Sequence, residues 1–223
     1  MGKMMDKRFL LLSTLVCLLP IAFYLFVYDQ LPEQMAMQWN LEGQVNWYAP
    51  KLTAVLSLPL SLAAIHLATL FLRRFDPKRE NTSAAMQTIL DWLIPVLSIL
   101  INTYSILQNT GADIPTAVPL ILVGIILIII GNYLPKSRQN YTVGIRIPWT
   151  LHDADNWNKT HRLAGPLVML GGVAMIIAAL TPFKSLLWLI LILAVVVLIV
   201  AVPCLYSFSL HLKKLSPKPE NDR

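Results

Sequence analysis

Six runs of apolar residues, with polar residues confined to the stretches between them, set the pattern of the chain. They cover residues 10–27, 52–72, 86–107, 116–134, 163–180 and 186–206. Runs of about 20 apolar residues match the hydrocarbon thickness of a bilayer when wound as helices. Backbone groups in lipid must be hydrogen-bonded within their own segment, so each run is expected to be an α-helix. The fifth, LAGPLVMLGGVAMIIAALTP, is short and Gly-rich and fits the pattern least well. The expectation is an all-α integral membrane protein with six transmembrane helices. The first run lacks a small-residue cleavage site straight after it, so it reads as a retained span rather than a signal peptide.

Composition agrees. Hydrophobic residues make up 56% of the 223 and charged residues only 13%, against roughly a quarter charged in soluble proteins. A net charge of +6 would point a soluble chain toward nucleic acid, but here the basic residues sit in the connectors. Sixteen of the eighteen lie before the first span, after the second, after the fourth or after the sixth. The alternate connectors hold only Lys51 and Lys184. The positive-inside rule then places both termini in the cytoplasm and predicts no direct nucleic-acid contact. Cys17 and Cys204 both fall within apolar runs and read as small buried hydrophobes.

Two connectors are too long to be turns, one at 28–51 outside and one at 135–162 inside, and long connectors are disproportionately functional. The expected organisation is a first helix plus an ordered extracytoplasmic loop domain (1–51), helices two to four (52–134), an ordered cytoplasmic loop with the fifth helix (135–180), and the sixth helix with a tail (181–223). The tail KKLSPKPENDR is polar and Pro-containing and is expected to be disordered.

In the inner loop Gly131 and Pro135 are expected to end the fourth helix, and residues 141–147 to be extended. A helix becomes plausible from Asp153, with Asp153 and Asp155 in its first turn. Asp155 and Lys159 are spaced i,i+4 with the acid first. At that pitch Trp157 and His161 stack on one face, while Asn158 and Arg162 share another. Trp and Arg side chains are expected at headgroup depth, touching membrane lipids. The sharper alternative is a binding or signalling surface made of Arg146, Trp149, Trp157, His161 and Arg162. His152, Asp153, Asp155 and His161 are metal-ligand types, yet their spacing matches no zinc pattern, and no metal or cofactor is expected.

The outer loop, LPEQMAMQWNLEGQVNWYAPK, suggests a tight turn at Gly43 and a short extended arm. Within the spans, His66 and Asp91 should lie at similar depth on antiparallel helices and could pair, with Asn102 farther out. Such groups normally face the bundle interior. A transport path is one reading; structural hydrogen bonds to Asp91, a serine or a carbonyl are another. There is no HExxH, GxSxG or Gly-rich phosphate loop. His161 beside Arg162 could in principle act on a phosphate.

The run NYTVGIRIPWTL, a Trp six residues later, and KTHRLAG together resemble the signature of the SdpI immunity-protein family. Asn140, Tyr141, Gly144, Arg146, Pro148, Trp149, Thr150, Leu151, Trp157, Thr160, His161, Arg162 and Gly165 carry the resemblance. Ile147 stands where members often have Thr, and His152 where a helix cap is common. The outer loop resembles a small extracytoplasmic domain of unknown function often found ahead of that signature, through Leu31, Pro32, Trp39, Asn40, Gly43 and Asn46. Gln38 replaces a usual His there, and Asn46 a common Asp. The resemblance implies a bacterial cytoplasmic-membrane immunity protein, not an enzyme, that protects against a secreted, SdpC-like peptide toxin. In some members it implies a second task, holding a cytoplasmic transcriptional repressor at the membrane. A small transporter or channel, and a membrane enzyme acting on a lipid or phosphate, are the competing classes.

Overall fold

The structure is a computed structural model and describes residues 7–40, 43–115, 117–181 and 186–215. The tail from residue 216 and the connector residue Lys184 lie outside the described residues. The elements run α1 (Lys7–Phe26), β1 (Gln34–Trp39), β2 (Val45–Pro50), α2 (Lys51–Arg74), α3 (Ala84–Asn109), α4 (Val118–Tyr133), α5 (Pro148–His152), α6 (Ala154–Leu180) and α7 (Leu186–Leu215). Among the described residues six helices are long and apolar enough to cross a membrane. Large apolar side chains such as Leu12, Phe71, Leu170 and Leu205 point outward, as a lipid-facing surface requires.

Three expectations need correction. The fold is mostly helical rather than all-α, because the outer loop closes as an antiparallel β-hairpin. The fifth run is not a short span but part of an unbroken 27-residue helix that begins in the loop. Gly131 does not end the fourth helix; it lies inside α4, which stops at Tyr133 ahead of Pro135.

The helices divide between two compact units, residues up to 75 with 84–119, and 76–83 with 120 onward. In the first, α1, α2 and α3 pack together and the hairpin docks on one end. Met35 and Ala49 of the hairpin are buried with Leu31 against Tyr24, Ala54 and Val55. Full burial of a side chain the size of Met35 contributes about 1.5–3 kcal/mol, which holds a two-stranded ribbon that would be marginal alone. Lys51 is pinned there as well, 3.1 Å from Glu33 and over the Tyr28 ring.

In the second unit, α4 and α6 approach through two glycine pairs spaced by seven residues on each helix. A Cβ at Gly131 would lie 2.7 Å from Gly165 O, and one at Gly172 would lie 2.5 Å from Gly124 O. Small residues permit this backbone contact, and in lipid, where apolar surfaces gain little from each other, close packing supplies the attraction. α7 completes the unit: Ile199 packs against the Leu134, Ala164 and Val168 cluster.

Candidate functional site

The candidate site lies in the second unit, where residues 136–162 fold into an ordered element. Its organising group is one that the sequence reading missed, Asp76, in the short connector after α2. Asp76 is 6% exposed. One carboxylate oxygen accepts the Lys78 N–H at 2.8 Å; the other accepts the Tyr141 N–H at 3.0 Å and the Thr142 hydroxyl. Asn81 adds a bond to Gln139 O at 2.7 Å, and the Gln139 amide donates to the carbonyls of Thr150 and Leu151, both at 2.8 Å. Asn140, fully buried, accepts the N–H groups of Thr142 and Val143 at 2.9 and 2.7 Å. The run 141–147 is therefore not a helix, but neither is it extended throughout as expected: it bends at 141–144, with Gly144 at φ +114°. Its backbone groups are satisfied by side chains rather than by a sheet.

Trp157 and His161 stack with ring centroids 4.0 Å apart and planes 19° apart, the relation that i,i+4 spacing requires. Both are 0% exposed. This corrects the expectation of an interfacial anchor: Trp157 packs in protein, and its indole N–H donates to Ser137 O at 2.8 Å. His161 has both ring nitrogens engaged. Nδ1 lies 2.8 Å from Trp157 O, and Nε2 accepts the Ile145 N–H at 3.0 Å. A carbonyl on one side and an N–H on the other select the neutral tautomer with its proton on Nδ1. His161 thus offers neither nitrogen to a phosphate or a metal, and the idea of it acting on a phosphate falls on that geometry. Among the described residues no group of His, Cys, Asp or Glu is arranged to hold a metal.

Thr150 and Thr160 are also fully buried. The Thr150 hydroxyl accepts the Ile147 N–H at 3.1 Å and lies 2.7 Å from Ile145 O, closing the entry to α5. Thr160 bonds Asn156 at 3.0 Å; Asn156 in turn donates to Ser207 O of α7 at 2.9 Å and accepts its hydroxyl. Trp149 stacks on His211 at 5.9 Å and 20° and leans on Phe208 at 5.2 Å, fastening α5 to α7.

Asp153 caps α6, accepting the N–H groups of Asp155 and Asn156 at 3.0 and 3.2 Å. The Lys214 ammonium beside it, with those N–H donors, holds its carboxyl below the usual carboxylate range. Asp155 pairs with Lys159 at 2.9 Å, as the spacing predicts.

Of the expected surface residues, only Arg146 and Arg162 are exposed. Arg146 donates to Tyr141 O at 2.7 Å, and Tyr141 itself is 41% exposed with Lys78 near its ring. Arg138 is exposed as well. The expected five-residue surface thus resolves into a buried frame, Trp157 and His161, and a basic rim.

In the first unit Asn40 and Gly43 build the hairpin turn. The Asn40 side chain accepts the Gln44 N–H at 2.8 Å, and Gly43, at φ +82°, sends its N–H to Asn40 O. Asn46 is exposed at an irregularity of the hairpin, where Gln38 pairs with Trp47 and Trp39 with Val45. Trp39 meets Tyr104 of α3 edge-on at 6.0 Å. His66 and Asp91 do not pair. Asp91 forms an ion pair with Arg73, one of the helix-end arginines, while His66 bonds the Ser13 hydroxyl at 2.9 Å. The serine partner is among those the sequence allowed.

Six long apolar helices and polar elements folded at their ends define a multi-pass membrane protein. The comparisons give the family. Residues 136–207 match the SdpI/YfhL protein family, and residues 15–62 match a domain of unknown function, DUF1648. The chain is 26% identical to the immunity protein SdpI of Bacillus subtilis (strain 168) over 212 residues, covering 92% of this chain and 97% of that one. Its segment 136–207 is therefore of the SdpI/YfhL type, with DUF1648 ahead of it, and the chain is a distant homologue of that immunity protein over nearly its whole length. No solved structure matches the chain.

Proposed function

We propose that the protein confers resistance to a secreted, membrane-active peptide toxin from the bacterial cytoplasmic membrane, with both termini in the cytoplasm. The observation that carries this reading is the similarity to an immunity protein along nearly the whole of both chains. The charge distribution over the connectors supports the orientation. The hairpin then faces outside, where a toxin arrives. The 136–162 element faces inside, where its basic rim of Arg138, Arg146 and Arg162 meets lipid headgroups or a cytoplasmic partner such as a transcriptional repressor.

The frame favours binding over turnover. His161 is enclosed and neutral, so it holds the rim in shape rather than acting on a substrate. Signalling requires the toxin to bind two arrangements of the helices unequally. The test is survival of a toxin-sensitive Gram-positive strain challenged with an SdpC-type peptide, carrying wild type, Arg146→Ala or Arg162→Ala at matched membrane levels. Wild-type protection lost in the arginine variants places the rim in the mechanism. Protection retained in both moves it to the spans and hairpin, and no protection by the wild type overturns the immunity reading.

A further inference from the structure

A line of polar groups, buried at its middle and half-buried at its two ends, runs along the packed faces of α1, α2 and α3. On α3, Asp91, Ser98, Asn102, Ser105 and Asn109 recur at steps of seven, four, three and four, so they share one stripe of the helix. Starting from the hairpin end, the Asn109 amide clasps Ala36, accepting its N–H at 2.7 Å and donating to its carbonyl at 3.1 Å. Ser105 bonds the buried Tyr24 phenol. Asn102 donates to Ser98 O at 2.7 Å, and Ser98 donates to Cys17 O at 2.7 Å. His66 bonds Ser13 at 2.9 Å, and the Arg73–Asp91 pair closes the other end.

At about 1.5 Å of rise per residue, the stations from Ser98 to Asn109 lie about 4.5–6 Å apart along the axis, and about 10 Å separates Ser98 from Asp91. His66 falls in that gap, because its partner Ser13 is one turn from Cys17.

Two atoms on this line lack a protein partner, His66 Nδ1 and Asn102 Oδ1. Both residues are 0% exposed. Leaving such an atom unpaired is costly, and buried water is the usual partner where protein supplies none. Pro20, Pro59 and Pro95 lie buried on the same faces. Each lacks an N–H for the carbonyl four residues back, which adds acceptors at Val16, Val55 and Asp91.

We propose that this line is a water-bridged proton relay through the first unit, with His66 as its titratable station and water and hydronium as its ligands. A proton taken up at His66 Nδ1 and one released from Nε2 toward Ser13 moves one charge and leaves the ring neutral. The groups that act on His66 are Ser13 from α1, Asp91 from α3 and Arg73 from its own helix. The inference does not depend on the toxin reading.

Full-length protein in liposomes, loaded with a pH-sensitive dye and driven by a potassium gradient with valinomycin, tests it. Wild type is expected to acidify the lumen faster than the leak of protein-free vesicles. Removing a positioned proton-transfer group typically costs about 10²–10⁴-fold, so His66→Gln, which keeps an amide for Ser13 but cannot titrate, is expected to fall by about 100-fold or to the leak. Asn102→Leu is expected to fall likewise, and Leu170→Ala, on the outward face, to conduct as wild type. Should His66→Gln not be recovered monodisperse, Ser13→Ala removes the Nε2 partner and reports on the same path. Wild-type flux at the protein-free level, or His66→Gln or Ser13→Ala conducting as wild type, overturns the proposal.

Discussion

Gly144 and His161 leave each other no spare volume. The Ile145 N–H reaches His161 Nε2 at 3.0 Å, and a Cβ on Gly144 would lie 2.3 Å from that same nitrogen. Gly144 also sits at φ +114°, where L side chains are strained. Gly144→Ala is therefore expected to cost about 1–2 kcal/mol in backbone strain alone, and more through displacement of the imidazole. A lower thermal unfolding midpoint in detergent, relative to an exposed-site control such as Leu170→Ala, checks it.

Replacing His161 probes the frame rather than catalysis. His161→Ala leaves the Ile145 N–H buried without an acceptor, which costs about 1–3 kcal/mol, and opens a void beside Trp157. His161→Gln, able to accept from Ile145, is expected to recover part of that loss. Equal unfolding midpoints for the two variants would show that the hydrogen bond is not what holds the loop.

Asp76 ties two connectors of the second unit with three donors. Asp76→Ala leaves the Tyr141 N–H unpaired at a cost of about 1–3 kcal/mol, and it should loosen 138–146 before the helices melt. Limited trypsin digestion reads this directly, with faster cleavage after Arg138 and Arg146 expected in the variant. A cleavage rate equal to wild type would count against the anchoring role.

The Asp153 cap gives a pH dependence. Its carboxyl is held below its ordinary value, so the stabilisation is present above the unfolded-state value of about 3.9 and is lost as pH falls through the lower folded-state value. Lys214 is solvent-exposed, so screening leaves the ion pair little weight; losing the cap itself costs about 1 kcal/mol. Asp153→Ala is expected to unfold earlier than wild type at pH 6, and the difference is expected to shrink as pH falls below about 3.9. A gap that stays constant over that range would mean the charge plays no part.

The glycine contact between α4 and α6 should be the least forgiving feature. Gly131→Leu would drive a side chain into Gly165 O and Met169, where backbone cannot yield. Loss of monodisperse protein on extraction is expected, whereas Leu170→Ala is expected to be recovered normally.

Legibility followed the range of the interactions. The Trp157–His161 stack and the Asp155–Lys159 pair depend on residues within one helical turn, and the helical period exposes them; Asp153, expected in the first turn, instead precedes it as the cap. The stripe on α3 is a different case: sequence marks Asp91 and Asn102 as polar groups within a span, but Ser98, Ser105 and Asn109 join them only through the contacts they make. Asp76 with Tyr141 and Asn156 with Ser207 join residues more than fifty positions apart, and no period announces such pairs. In sequence Arg73 is one of the basic residues that follow the second span, and only the folded geometry makes it the partner of Asp91.

By itself the sequence determined that six helices form, because a backbone in lipid has no other way to satisfy its polar groups over runs of that length. It also determined where the polar elements fall. Tertiary structure alone decided that Trp157 and His161 lie inside protein rather than at headgroups, since burial depends on what Ser137, Gly144 and Ile145 bring against them. It decided the hairpin as well. A short alternating segment becomes a strand pair only when a buried surface, here Tyr24, Ala54 and Val55, waits beneath one face.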